Sequence, residues 1–242
     1  MPDHIVSAFD ADLGDLRRSI AEMGGIAETM LSDATAALVR DDAALAHVVL
    51  AADPRLDDLQ RSVEERGVLT IARRQPLAVD LREVIAALRI ASDLERAGDL
   101  AKNVAKRVIA TTGQTQPKRA VMGVQRMSDL ALAQLHDVLD AYAANDVEAA
   151  LAVWGRDGAI DAMNNSLFRE LLTYMMEDPR SISFATHLLF CAKNIERIGD
   201  HTTNIAETIH YLVTGDPLTA ERPKNDRSSF AVVEPASGAT QP

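Results

Sequence analysis

Apolar residues along most of this chain recur at steps of three and four. Between positions 90 and 108 the series is Ile90, Leu94, Ala97, Ala101, Val104 and Val108, which is one stripe of a helix with about 3.6 residues per turn. Ile198, Ile205, Ile209 and Leu212 form a second stripe. Strand-like runs of β-branched and aromatic residues are missing. The pattern predicts an all-α chain of six long helices. The first spans about residues 11–40 and runs through Gly24 and Gly25, which weaken it locally. Asp41 and Asp42 suit the cap of a second helix over 43–74, and "RRQP" ends it, because the residue before Pro76 disfavours the helical region. A third helix runs from Pro76 to about Ala110, and "TTGQTQP" (111–117) reads as a linker. A fourth reaches Ala144, and a fifth, capped at Asn145 or Asp146, reaches Met176. After the turn "EDP" (177–179) a sixth reaches Val213, and the Pro- and Ser-rich tail over 215–242 is expected to be disordered. Pro54 should kink or break the second helix at a cost of about 3 kcal/mol, and Gly155 and Gly158 loosen the matching part of the fifth.

The chain also repeats itself. "VRDDAALAHVVLAADPRLDDL" (39–59) aligns with "AANDVEAALAVWGRDGAIDAM" (143–163), and "DLERAGDLAKNVAK" (93–106) with "NIERIGDHTTNIAE" (194–207). One supersecondary unit is therefore used twice. Three long helices per unit with short turns give two tandem antiparallel three-helix bundles, over 5–110 and 117–214, related by an internal repeat.

Composition narrows the function. An apolar content of 47 % with only 4 % aromatics suits packed Ala- and Leu-rich helices. The net charge of −11, with no run of Lys or Arg, argues against nucleic acid as a partner. The single cysteine, Cys191 in "HLLFCA", excludes a disulfide framework and reads as a small buried hydrophobe. The start "MPDHIVSAFDADLGDL" lacks the regions of a secretory signal, and no uninterrupted apolar run is long enough to cross a membrane. A cytoplasmic protein without direct membrane insertion is expected. No P-loop, G-x-S-x-G or Cys–His pairing signals nucleotide or nucleophilic chemistry.

The informative chemistry is acidic. The repeats carry four pairs spaced by four: Asp53 with Asp57, Glu95 with Asp99, Asp157 with Asp161, and Glu196 with Asp200. Each pair stacks side by side on its helix. Counting from the turn at Gln75, Asp57 lies 18 residues before and Glu95 20 after, which brings them level, and Asp53 is likewise level with Asp99. The same arithmetic about Asp178 matches Asp161 with Glu196 and Asp157 with Asp200. On a helical wheel the pairs lie opposite the apolar stripes, so they are expected on the outside of each bundle or at an interface, not in a core. A solvated acidic face is the bland reading of any one pair. Two like charges 4 Å apart, however, cost about 1 kcal/mol in water and about 4 kcal/mol at an effective dielectric of 20. Four matched pairs are a hard-oxygen setting for multivalent cations, with Mg, Mn and Ca all compatible. Asn103 and Asn204 continue each row by a turn as supporting residues, and His201, beside Asp200, is a further candidate ligand. "QPLAVDLRE" (75–83) puts Asp80 and Arg82 at a helix start, where dipole pairing explains them.

These paired segments, with "RRQPLAVDLR" (73–82), "LTYMMEDPRSI" (172–182) and "LFCAKNIERIGD" (189–200), resemble the PhoU family of phosphate-transport regulators over about residues 5–215. The resemblance implies a cytoplasmic negative regulator of the phosphate-starvation response and of phosphate uptake, not an enzyme. It would act as an adaptor between the ATPase subunit of a phosphate ABC transporter and a phosphate-sensing histidine kinase, and as a homodimer. It also implies multinuclear iron or zinc on Asp53, Asp57, Glu95, Asp99, Asp157, Asp161, Glu196 and Asp200. Pro54, directly after Asp53, departs from the family pattern. The alternatives from other classes are a carboxylate-bridged metal-cluster enzyme or metal store, and a purely structural helical scaffold.

Overall fold

The computed structural model describes the backbone of residues 2–220 and the side chains of 9–220. The chain is all helical: α1 (Pro2–Arg40), α2 (Ala43–Arg74), α3 (Val79–Thr111), α4 (Lys118–Ala144), α5 (Val147–Trp154), α6 (Asp157–Glu177) and α7 (Ile182–Thr214), with one 3₁₀ turn at Pro179–Ser181. Helices α1–α3 form one antiparallel bundle, and α4, the α5–α6 pair and α7 form the other.

The repeat shows in the turns. Asp41 and Asn145 both take left-handed backbone conformations, with φ of 55° and 53°. The following residues, Asp42 and Asp146, cap α2 and α5 by accepting from Leu45 N and Ala149 N at 3.0 Å. Such a cap contributes about 1 kcal/mol.

Four expectations need correction. Helix α2 runs unbroken through Pro54. Pro54 is solvent-exposed, so water can reach the carbonyl that its missing N–H would have bonded. The break falls instead in the second repeat, where Gly155 and Arg156 separate α5 from α6. Gln134 on α4 donates to Arg156 O there at 3.1 Å, and Asp137 holds the Arg156 side chain at 2.5 Å, so α4 secures the interruption. Helix α3 begins at Val79, not Pro76, because the turn absorbs Gln75 and Ala78, both at positive φ. Lastly, Arg82 does not pair along α3 but donates to Leu212 O in the last turn of α7, at 3.2 Å, where a cation suits the helix dipole. The tail from residue 221 onward lies outside the described residues.

The bundles lie side by side, with α1 along α4 and α3 along α7, each pair antiparallel, since Glu28 meets His136 while Thr35 meets Ser128, and Arg82 meets Leu212 while Arg107 meets His187. Thr35 on α1 donates to Ser128 on α4 at 2.8 Å, both buried. Leu16, Ile20, Met23, Met30 and Leu31 of α1, Ile90 and Leu94 of α3, Met127 and Leu135 of α4, and Ile198 and Ile205 of α7 join one continuous core. No helix among the described residues is long and apolar enough to cross a membrane.

Candidate functional site

Gly98 and Gly199, the glycines of the two E-R-x-G-D stretches, set how closely the acidic rows meet. A Cβ on Gly98 would collide with Leu56 Cδ2 on α2, and one on Gly199 would stand 2.8 Å from Ile160 Cδ1 on α6. Leu56 sits between Asp53 and Asp57, and Ile160 beside Asp161. The third helix of each bundle thus lies against the helix that carries the partner carboxylates.

In the first repeat Lys102 joins the two rows. Its Nζ donates to Asp53 Oδ2 on α2 at 2.7 Å and to Asp99 Oδ1 on α3 at 2.5 Å. Burial alone would lower its pKa, but the bonds to Asp53 and Asp99 outweigh this and hold the ammonium above the ordinary lysine range. Glu95 is pushed up, first by burial and then by the charges of Asp99 and Asp57, while Arg96, 3.4 Å away, pulls it down. Asp57 therefore acts on Glu95, and Asp53 meets Asp99 through one ammonium.

The second repeat is more enclosed. Asp157 and Asp161 are each 3 % exposed and Glu196 is 5 % exposed, while Asp200 is half-buried. Thr203 Oγ1 lies 3.0 Å from Asp157 Oδ1 and is also within bonding distance of Gly199 O, so α6 is tied to α7. Lys193 Nζ lies 2.9 Å from Glu196 Oε2. The pairs were expected on the outside or at an interface, but Asp157, Asp161, Glu196 and Asp53 are buried within the chain's own helices. The helical wheel tracks one apolar stripe, but α7 is flanked by α3, α4, α5 and α6, which cover most of its circumference.

The remaining candidates serve the seam between the bundles. Asp93 on α3 accepts from Asn204 Nδ2 at 3.3 Å and lies 2.9 Å from His201 Nδ1, both on α7. Asn204 and His201 thus tie α7 to α3, and Asn103 is half-buried on α3. Cys191 is buried, and burial pushes its thiol up to about 12, so it is inert packing. Sequence reasoning set Lys102 near the rows as relief of their charge, but missed that it bridges them, and missed Thr203 as an element of the rows and Asp93 as their neighbour. The signal was available: Lys102 and Thr203 align in the repeat.

As a metal site the two rows differ. Among the described residues no three His, Cys, Asp or Glu side chains are gathered tightly enough to share one ion. The carboxylates of the second row are the oxygen donors that hard cations take, and the Lys193 ammonium stands against one of them, Glu196. The first is already bridged by an ammonium.

Comparison with known proteins follows this architecture. The PhoU domain family matches residues 20–108 and again 124–209, one stretch in each bundle. The chain is 57 % identical to the phosphate-specific transport system accessory protein PhoU homolog of Rhizobium meliloti, over 93 % of this chain and 95 % of that one. It is 50 % identical to the protein of the same name in Caulobacter vibrioides, over 93 % and 98 %. Among solved structures, PhoU from Pseudomonas aeruginosa superposes with a TM-score of 0.83 at 39 % identity, covering 86 % of this chain and all of that one. The phosphate transport system regulatory protein PhoU from Streptococcus pneumoniae gives 0.81 at 29 % identity, covering 88 % of this chain.

Proposed function

Given that the chain belongs to the PhoU family of phosphate regulatory proteins, we propose that it restrains phosphate uptake and the phosphate-starvation response when phosphate is plentiful. It acts by docking, as an adaptor between the ATPase subunit of a phosphate ABC transporter and a phosphate-sensing histidine kinase. The general role is regulation of phosphate signalling, not catalysis. The observation that carries this reading is the double match, which falls on both bundles at 20–108 and 124–209. Fused bundles of this kind present long helix faces, the surface a two-partner adaptor needs.

The acidic rows fit the same reading as a structural device. Asp157, Asp161, Glu196 and Asp200 would hold a metal ion in the second repeat. Bound there, the ion would draw these side chains together and brace α6 against α7.

The test is genetic and biochemical. Deletion should derepress phosphate-starvation genes in phosphate-replete cells, and the tagged full chain should retain the transporter ATPase and the kinase on a column. Light scattering reads the expected dimer. Phosphate-responsive expression that is unchanged in the deletion strain would refute the proposal.

A further inference from the structure

We propose that the cleft at one end of the seam between α3 and α7 binds a small organic cation, a linear amine or guanidine on a short methylene stem. The site uses no residue of either acidic row and does not depend on the adaptor reading.

The cleft measures about 550 Å³, within the range of small-molecule sites. Asp93 comes from α3, and Asn204, Glu207, Thr208 and Tyr211 come from α7. Pro217 and Leu218, of the segment after α7, complete the wall. That segment folds back at Gly215, left-handed with φ of 85°, and Asp216 O lies 3.1 Å from His210 Nδ1.

The polar lining is rich in acceptors, and part of it is unused. Asp93 commits only Oδ1, to Asn204 and His201, and Glu207 only Oε1, to the Trp154 indole N–H at 3.1 Å. Thr208 is the sharper sign. It is 6 % exposed, yet its hydroxyl has no hydrogen-bond partner among the described residues. Thr202 and Thr203 on the same helix instead bond the carbonyls of Ile198 and Gly199, as helical threonines can. A buried hydroxyl without a partner is costly, and a ligand N–H in the cleft would satisfy it.

Charge selects the sign of the ligand. Two carboxylates are set against one cation, Arg89, which is exposed and lies 5.5 Å from the centre of the Tyr211 ring. Among the described residues it pairs with neither carboxylate. A cation therefore gains charge-assisted bonds that an anion would forfeit, and Tyr211, Pro217 and Leu218 offer apolar surface to its methylenes. The repeat does not impose this lining. In the other half the positions of Asp93, Glu207 and Thr208 carry Asn194, Lys106 and Arg107, so the far end of the seam lacks the acceptor set.

Trp154 is the single tryptophan, and its bond to Glu207 makes its fluorescence a reporter of the cleft. Full-length protein is titrated with agmatine, which carries a guanidinium and an ammonium on a short alkyl stem. Fluorescence and calorimetry should both saturate at one agmatine per chain. Thr208→Val, which keeps the shape, and Asp93→Asn combined with Glu207→Gln should each weaken binding about tenfold or more, as the loss of a hydrogen bond to a charged group does. Ser92→Phe, from an exposed position on α3 that lines the cleft, should fill it and abolish binding, and it serves if the carboxylate variant does not fold. Glu64→Gln combined with Glu65→Gln removes as much negative charge from exposed positions on α2 and should leave the affinity unchanged. The proposal is overturned if agmatine does not saturate, or if Thr208→Val and Ser92→Phe both bind like wild type. It is equally overturned if the α2 variant loses as much affinity as the cleft variants, the mark of attraction to net charge alone, or if pentanoate, an anion on a similar stem, binds as well as agmatine.

Discussion

Gly199 and Ile160 meet where α7 lies against α6, so closely that a Cβ on the glycine would stand 2.8 Å from Ile160 Cδ1. Gly98 stands in the same relation to Leu56 in the first bundle. The glycine of each E-R-x-G-D stretch therefore has a physical cause, the close approach that brings two acidic helices together. Gly199→Ala must push the helices apart or force Ile160 off its rotamer, at about 1–3 kcal/mol. Thermal unfolding should register a loss of about 2–4 °C per kcal/mol for a chain of this size. A midpoint equal to wild type would remove the packing explanation.

Thr203 is fully buried, with its hydroxyl shared between Asp157 Oδ1 and Gly199 O. Thr203→Val keeps the shape and deletes the donor, so a buried carboxylate loses one of its hydrogen bonds. The expected cost is about 1.5–3 kcal/mol in chemical denaturation, the range for bonds to charged groups. Thr203→Ser should recover most of it.

Two histidines on the seams should titrate in opposite directions. His136 on α4 is raised above 6.5, chiefly by its bond to Glu28 on α1 and then by the charges of Glu28 and Asp140. His187 on α7 is lowered, first by burial and then by Arg107 of α3. The His136 contribution is fully present below pH 6.5 and is lost as pH rises through its raised value. The His187 contribution is present above 6.5 and is lost as pH falls through its lowered value. Proton NMR titration of the two rings checks this, and midpoints in the reverse order would contradict it.

Arg82 closes the end of α7 through Leu212 O at 3.2 Å. Arg82→Ala should cost about 1 kcal/mol, the usual worth of one such bond. The loss should be local, with hydrogen exchange quickening over the last turn before Gly215 and leaving α4 protected.

The helices and the repeat were legible because they are written locally, in the period of Ile90 to Val108 and in the Asp42 and Asp146 caps. The level pairing of Asp53 with Asp99 was legible too, because antiparallel counting needs only a turn position. Burial of Asp157, Asp161 and Glu196 was not, since it depends on which neighbours surround α6 and α7. The break expected at Pro54 is absent for a similar reason, while the loosening expected at Gly155 becomes a full interruption. An exposed proline can be tolerated by solvent, whereas the break at Arg156 is held by Gln134 and Asp137 from another helix. The contacts of Asn204 and His201 to Asp93 were not legible either, because they cross the seam to another helix.

The seams also make the covalent connection between halves dispensable. With α1 along α4, α3 along α7 and the Thr35–Ser128 bond sealed inside, the stretch 112–117 carries the chain across without determining how the halves sit. A polypeptide severed there, or expressed as two fragments, should still reassemble and elute as a single particle. The arrangement of the dual bundle is thus a property of its buried flanks and survives the loss of its tether.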